Sequence, residues 1–214
     1  MPLTDPAQDL ELLTRMRRGD SAAFEALYRR HQAPLYRFAL LRCGAPDIAE
    51  DVVQEIFMGL LADTLKFDPL RGVLQGFLFG VARNLVLKRE EKQYRFVSTT
   101  RHDDDDNDND RHDNVLIDTA PQPAQKLLDQ EQAETVRRAL QQLAPHYRDV
   151  VILYEMHDLS YVEIAQICNI DIGTVRSRLS RARAKLVEML EADYAGSSTR
   201  STPQPRTQQQ EARS

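Results

Sequence analysis

Residues 160–186 read SYVEIAQICNIDIGTVRSRLSRARAKL, and this stretch decides the fold of the second half of the chain. Ser160 and Glu163 have the spacing of a capping box, which predicts a short helix over YVEIAQIC. Asn169 tolerates the left-handed backbone of a turn, and Asp171 can cap the longer helix that follows. A short capped helix, a tight turn and a longer helix together predict a helix-turn-helix.

The longer helix of this motif separates apolar side chains from basic ones. Its cations have few partners, because no acid occurs between Asp171 and Glu188. Uncompensated positive charge predicts an external polyanion, and duplex DNA carries about one charge per 1.7 Å of its axis. A solvated basic surface is the alternative. The apolar side chains form one stripe facing the domain interior: Val175, Leu179, Ala182, Leu186 and Met189.

The amino-terminal half of a recognition helix normally enters the major groove of DNA. We expect Arg176 and Arg181 to bind guanine edges, and Ser177 and Ser180 to make permissive base contacts. The residues that we assign to DNA phosphates are Thr174, Arg178, Arg183 and Lys185.

The bulk composition limits the possible function classes. The 214 residues carry a net charge of −5, so any nucleic-acid surface must be local. No run approaches the roughly 18 apolar residues that span a bilayer, and the acids in MPLTDPAQDLELL argue against a signal peptide, so we expect a cytoplasmic protein. Cys43 and Cys168 form no CxxC pair, which predicts two reduced thiols rather than a metal or redox site.

Composition also divides the chain into two ordered blocks. Residues 96–124 contain the run HDDDDNDND and then two prolines, which predicts a disordered acidic linker. The composition of residues 194–214 predicts a disordered tail. A metal site built from His102, His112 and the aspartates is a weak alternative, because no rigid scaffold holds them. The blocks 1–95 and 125–193 have helical periodicity, so the predicted fold class is all-α: two small helical domains joined by a flexible acidic linker.

Local signals predict the helices of the first block. Asp20 is a suitable cap for a helix that Pro34 bends rather than ends. Asp47 and Glu50 resemble a capping box at the start of the next helix. The Asp-Pro and Arg-Gly steps of KFDPLRG predict a loop before a third helix.

Two segments of the chain are similar to one known family. LSYVEIAQICNIDIGTVRSRLSRARAKL resembles domain four of the extracytoplasmic-function sigma factors, and AEDVVQEIF with FDPLRGVLQGFLFGVARNLVLKREEK resembles their domain two. The resemblance covers about residues 8–95 and 125–192. It implies a dissociable subunit of bacterial RNA polymerase that selects promoters, with no enzymatic activity, no cofactor and no small-molecule substrate. It also implies an anti-sigma factor as a further partner.

The resemblance implies how the residues divide these tasks. Domain two of the family binds the polymerase clamp helices and the −10 element, and domain four binds the polymerase flap and the −35 element. Asp51, Gln54 and Glu55 fall in the clamp-contacting part, although a purely structural role is an alternative. The loop 66–75 matches the segment that captures a flipped −10 base. The implied −10 residues are Lys66, Phe67, Asp68, Arg71, Arg83, Asn84, Lys88 and Arg89.

Some features leave alternatives open. We expect Phe77 and Phe79 to be core residues, while Phe67 is undecided between core and base stacking. The linker is either an RNA mimic in the polymerase or a solvated spacer. Phe77 stands where the family usually has tryptophan, and Cys168 with Asn169 replaces a frequent Leu-Gly pair.

Two other function classes compete with this interpretation. A DNA-binding activator that does not enter polymerase leaves AEDVVQEIF and the FDPLRG loop unexplained. An enzyme lacks support, because the sequence has no Ser-His-Asp set and no glycine-rich phosphate loop.

Overall fold

The structure is a computed structural model that describes the backbone of residues 5–99 and 123–198, and the side chains of residues 5–92 and 132–192. Within these ranges the chain is helical between short connections and contains no strand, in agreement with the all-α prediction. The predicted acidic run, its metal-site alternative and most of the predicted tail lie outside the described residues. Among the described helices, none has both the length and the apolar composition needed to cross a bilayer.

Eight α-helices follow one another along the described chain. A 3-10 turn at Pro69–Arg71 precedes α4, and a π-helical segment at Ile152–Met156 directly continues α6. Three helices run a few residues into segments predicted as linker or tail. The helices are α1 Pro6–Arg17, α2 Ser21–Cys43, α3 Pro46–Leu61, α4 Leu74–Thr99, α5 Pro123–Gln142, α6 Pro145–Val151, α7 Tyr161–Cys168 and α8 Ile172–Ser198.

The ends of α2 follow the sequence signals. The Asp20 carboxylate accepts hydrogen bonds from the backbone N–H groups of Ala22 (3.0 Å) and Ala23 (3.1 Å), which satisfies two of the free donors at the helix start. The helix continues through Pro34, and Gly44 ends it with a left-handed φ of 77°. The predicted cap and the continuation past proline are both confirmed.

The start of α3 differs from the prediction. The helix begins at Pro46, the cap position is Ala45, and no side chain caps it. Proline already has the φ of a helix and occupies the first turn, so Asp47 is inside the helix and its carboxylate cannot serve as the cap. The capping box predicted from Asp47 and Glu50 is therefore wrong.

The helix-turn-helix forms as the motif predicts. The Glu163 carboxylate accepts the backbone N–H of Ser160 (2.8 Å), and the Ser160 hydroxyl accepts the backbone N–H of Glu163 (3.3 Å), which confirms the capping box. Asn169 ends α7 with a left-handed φ of 54°. Ile170 then donates its N–H to the Ala165 carbonyl (3.0 Å), and the chain turns into α8.

The two halves of the chain pack against each other and share one core. Phe38 of α2 and Phe79 of α4 are fully buried, and so are Val150 of α6 and Leu153 of the π-helical segment. His157, which follows that segment, lies against both phenylalanines, with ring centroids 6.3 Å from Phe38 and 4.6 Å from Phe79. In this structure the helix-turn-helix is therefore docked on the first four helices.

Candidate nucleic-acid and polymerase interface

Helix α8 presents a basic face to solvent because its apolar stripe is buried. Val175, Leu179 and Ala182 are at most 1% exposed. The four residues predicted to read bases all lie on the exposed side of the helix: Arg176, Ser177, Ser180 and Arg181. Of the predicted phosphate contacts, Arg183 and Lys185 are exposed, whereas Thr174 and Arg178 are half-buried.

Three of the α8 cations lie over tyrosine rings from three different elements. The Arg176 guanidinium is 5.8 Å from the ring centre of Tyr161 on α7. Arg183 and Lys185 also lie over tyrosine rings. Arg183 lies 5.1 Å from Tyr154, and Lys185 lies 5.2 Å from Tyr147. Sequence reasoning did not assign these tyrosines to the site.

Arg183 also has an acidic partner that the sequence of α8 does not contain. Its guanidinium contacts the Glu155 carboxylate of the π-helical segment at 2.6 Å, and both side chains are near the surface. The pair raises the pKa of Arg183, chiefly through the hydrogen bond to Glu155. Among the described residues, no carboxylate lies within 4.0 Å of Arg176 or Arg181. These two cations are therefore the ones most available to an anion.

The loop between α3 and α4 carries four of the predicted −10 residues, and its shape is fixed by local contacts. The Asp68 carboxylate accepts the backbone N–H of Leu70 (3.0 Å), which shapes the short 3-10 turn. Leu70 is 94% exposed at the tip of the loop. Phe67 packs on Phe77 at 5.6 Å between ring centroids, and both rings are half-buried against the core, so Phe77 is not the fully buried core residue that was predicted.

A cleft of about 830 Å³ separates this loop and the start of α4 from α7. Lys66, Arg71 and Arg83 contribute positive charge to its wall, and Phe67 and Phe77 contribute ring surface. The opposite wall is α7 of the helix-turn-helix, with Glu163 and Gln166 among its residues.

The predicted −10 residues on α4 do not all face solvent. Asn84 and Lys88 are exposed. Arg83 is half-buried and donates to the Asp149 carboxylate of α6 at 2.7 Å. Arg89 donates to the Glu55 carboxylate of α3 at 2.9 Å. The second contact joins a predicted −10 residue to a predicted polymerase-binding residue.

Asp51, Gln54 and Glu55 lie together on one exposed stripe of α3. Met58 and Leu61, which are 57% and 49% exposed, continue the stripe at helical spacing. The stripe therefore changes from polar to apolar along its length.

A buried charge cluster joins the two halves, and sequence reasoning missed it. Arg42 is 0% exposed and its Nε donates to Asp149 at 2.5 Å, while its terminal nitrogens bind the Glu90 carboxylate at 2.5 and 3.0 Å. Asp149 thus accepts from both Arg42 and Arg83. Arg148, also buried, donates to the Arg42 carbonyl at 2.6 Å. The only signal in the sequence was charged residues inside otherwise apolar helices.

Two titratable groups near the contact between the halves have strongly shifted pKa values. Burial, and to a smaller extent the nearby Arg37 guanidinium, lower the pKa of His157 to about 4. Burial also raises the pKa of the Cys168 thiol to about 11. Cys43 and Cys168 are both free thiols, and burial raises the pKa of Cys43 as well. The described residues contain no group of three or more His, Cys, Asp or Glu side chains placed to hold a metal ion.

Comparisons with known proteins match the two halves separately and together. The model of Sigma-70 region 2 matches residues 27–96, and the model of Sigma-70, region 4 matches residues 133–186. The ECF RNA polymerase sigma factor SigE of Mycolicibacterium smegmatis is 31% identical over 80% of this chain, which spans 64% of that protein's length. The ECF RNA polymerase sigma factor EcfG of Rhodopseudomonas palustris is 33% identical, with 75% of this chain and 81% of the relative covered.

A solved structure agrees with the arrangement of the helices. The sigma factor RpoE of Bartonella quintana, in a co-crystal with the anti-sigma factor NepR, is 29% identical and superposes with a TM-score of 0.61. The match covers 79% of this chain and 98% of that one.

Proposed function

Because this chain belongs to the extracytoplasmic-function (ECF) RNA polymerase sigma factors, we propose that it binds core RNA polymerase and directs initiation at promoters with −35 and −10 elements, under the control of an anti-sigma factor. It is a specificity factor rather than an enzyme, and neither a cofactor nor a small-molecule substrate is part of the proposal. A polymerase subunit acts where the DNA is, so we assign the protein to the cytoplasm.

The single observation that carries the DNA-binding part is the exposed basic face of α8. Arg176 and Arg181 have no carboxylate partner among the described residues, and the helix is anchored by its buried stripe. Such a helix fits the major groove, where arginine binds guanine through two parallel hydrogen bonds. The proposed −35 readers are therefore Arg176, Ser177, Ser180 and Arg181, with phosphate contacts from Thr174, Arg178, Arg183 and Lys185.

The loop and α4 are the proposed −10 surface. Backbone groups of an exposed loop are free to bond a splayed base, and the rings of Phe67 and Phe77 offer stacking surface nearby. The cations on this side suit the phosphates of a single strand. The proposed residues are Lys66, Phe67, Asp68, Arg71, Arg83, Asn84, Lys88 and Arg89.

The exposed stripe of α3 is the proposed contact with the polymerase clamp helices, and the helix-turn-helix half is the proposed contact with the flap. Asp51, Gln54 and Glu55 supply hydrogen-bonding groups, and Met58 and Leu61 supply apolar area beside them. A helical stripe of this kind fits the surface of a partner helix.

The docked arrangement cannot read both promoter elements at once. Their positions differ by about 25 base pairs, or roughly 85 Å of DNA at about 3.4 Å per base pair. In the structure, the −10 loop and α7 face each other across one cleft. The proposed function therefore requires the two halves to separate when the factor binds polymerase and DNA.

The test is reconstitution with purified core polymerase that lacks any other sigma factor. We expect the chain to direct initiation, with start sites mapped on genomic DNA fragments. An activator that does not enter polymerase would give no initiation without another sigma factor, and that result would overturn the proposal.

Two sets of variants then assign the surfaces. Arg176→Ala and Arg181→Ala should each weaken promoter binding by about 1–3 kcal/mol when the −35 element is intact. Asp51→Ala with Gln54→Ala should reduce binding to core polymerase while leaving the helical content unchanged. Unaltered promoter selection or an unaltered pull-down of core enzyme would remove the corresponding residues from the site.

A further inference from the structure

Three exposed cations of α8 lie over three tyrosine rings from neighbouring elements of the helix-turn-helix half. The pairs are Arg176 with Tyr161, Arg183 with Tyr154, and Lys185 with Tyr147, at 5.8, 5.1 and 5.2 Å from the ring centres. All three distances are within the roughly 6 Å at which a ring face attracts a cation. The pairing extends along α8 from a proposed base reader to two proposed phosphate contacts.

The rings are fixed by the rest of the helix-turn-helix half. Tyr161 is the first residue of α7, directly after the capping box, and its ring stacks beside Tyr154 at 5.3 Å. Tyr147 lies in the first turn of α6 and packs beside His146 at 4.2 Å. All three tyrosines are half-buried against the core. They therefore form a rigid base for flexible side chains.

A ring and a carboxylate hold a cation in different ways. The ring attracts the cation through its quadrupole and leaves its charge and its N–H donors available to a second partner. A carboxylate neutralises the cation and occupies its donors. Arg176 and Lys185 have a ring but no carboxylate partner among the described residues, whereas Arg183 has both a ring and Glu155.

Long basic side chains lose rotamer freedom when they bind DNA, and this loss opposes binding. A side chain that already lies extended over a ring loses less. We propose that Tyr161 and Tyr147 are positioning residues for promoter binding, which hold Arg176 and Lys185 ready for the DNA. This inference rests on the proposed function of α8 as the −35 reader.

The test is a double-mutant cycle in the full chain, bound to core polymerase, on a promoter fragment defined by start-site mapping. Tyr161→Leu should raise the Kd for the promoter roughly two- to fivefold. Tyr161→Phe keeps the ring and should leave the Kd near that of the parent chain. Arg176→Ala should raise the Kd about fivefold or more, and adding Tyr161→Leu to it should cause no further loss.

A second cycle, on Lys185 and Tyr147, separates a positioning role from a merely structural one. Lys185→Ala should reduce the slope of log K against log salt by about one, because one phosphate contact is lost. Tyr147→Leu should raise the Kd in the parent chain but cause no further loss in the Lys185→Ala background, whereas a merely structural role would weaken binding in both backgrounds and would overturn the inference. If Tyr161→Leu does not fold, this second pair decides the question.

The outcomes separate the inference from the function on which it rests. A loss of binding on Tyr161→Leu that persists in the Arg176→Ala background overturns the positioning role, as does an equal loss on Tyr161→Phe, which would indicate direct contact by the hydroxyl. An Arg176→Ala variant with unchanged promoter affinity overturns instead the assignment of α8 as the −35 reader.

Discussion

His157 belongs to the C-terminal half of the chain, but its ring lies among N-terminal residues. It packs on Phe79 and Phe38, and its Nε2 atom is buried without a hydrogen-bond partner among the described residues. These surroundings favour the neutral ring, because a buried imidazolium would lack both water and a hydrogen-bond partner for Nε2. Arg37 adds to this effect, and Asp158 opposes it.

We expect His157 to make the stability of the docked chain depend on pH. Its pKa is about 4 when packed and returns towards 6.5 when the ring is exposed. The exposed state therefore takes up a proton first, so the contribution is complete above pH 6.5 and is lost as pH falls towards 4. Between about pH 7 and pH 5 the free energy of unfolding should fall by roughly 1–2 kcal/mol more than in a His157→Phe variant.

Urea unfolding at the two pH values measures this difference. Because the carboxylates and the other histidines are common to both proteins, their titration cancels in the comparison. The same pH slope in the parent chain and in His157→Phe would show that the ring does not couple protonation to packing.

Among the elements, the helices that the sequence predicted well are those with local signals. Asp20, the Ser160–Glu163 box and the stripe that begins at Val175 lie within one or two turns of the structure that they specify. The start of α3 was missed because a proline one residue earlier overrides an acid that has the right spacing. Prediction of a helix start from local patterns fails where two signals, here a proline and an acid, compete for the same turn.

The partner of Arg183 could not be found in the same way. The sequence of α8 contains no acid near this arginine, which predicted an uncompensated cation. The structure supplies Glu155 from a segment 28 residues away. Such a contact depends on how α6 and its π-helical continuation pack on α8, and helical periodicity does not contain that information.

We expect Glu155→Gln to strengthen promoter binding by the holoenzyme. The pair is near the surface, so losing it should change the free energy of unfolding by less than about 1 kcal/mol. Arg183 would then be available to a phosphate, and the Kd for promoter DNA should fall roughly two- to fivefold with a steeper salt dependence. Anisotropy titrations at two salt concentrations measure both quantities.

Glu188→Gln is the matched control, because it removes the same charge from an exposed position on α8 that has no ion pair among the described residues. The excess effect of Glu155→Gln over this control should disappear in an Arg183→Ala background. An equal effect of the two variants would mean that general electrostatics, and not the release of Arg183, controls binding.

At the scale of the whole molecule, the sequence predicted two tethered domains, whereas the described halves are docked. The composition of residues 96–124 supports a flexible connection, but it contains no information about whether the connected parts touch. Beside the shared apolar core, the halves are joined by Arg42, Arg83 and Asp149, which are far apart in the chain. In the sequence, each of them is an ordinary charged residue of a helix, and nothing nearby predicts the contact.

Burying these charges has an energetic consequence for opening. Removing two charges from water costs free energy, and their mutual attraction recovers only part of it. Separating the halves returns these charges to water, so the net free-energy cost of breaking the ion pairs is modest. Arg83, a proposed −10 contact, is released at the same time, because its partner Asp149 belongs to the other half. In the docked state this proposed promoter contact is therefore occupied by Asp149 until the halves separate.

We therefore expect Asp149→Asn to shift the chain towards a separated state. The substitution keeps the shape of the side chain but leaves Arg83 without a counter-charge, while Arg42 retains Glu90. A half-buried guanidinium without its counter-charge destabilises the docked arrangement, and separation of the halves removes that cost by hydration. The radius of gyration from small-angle scattering should increase while the helical content from circular dichroism stays constant.

Asp158→Asn is the control, because Asp158 is exposed in the same half and asparagine tolerates its positive φ of 53°. An unchanged radius together with a lower free energy of unfolding would show that Asp149 stabilises the fold without controlling the opening.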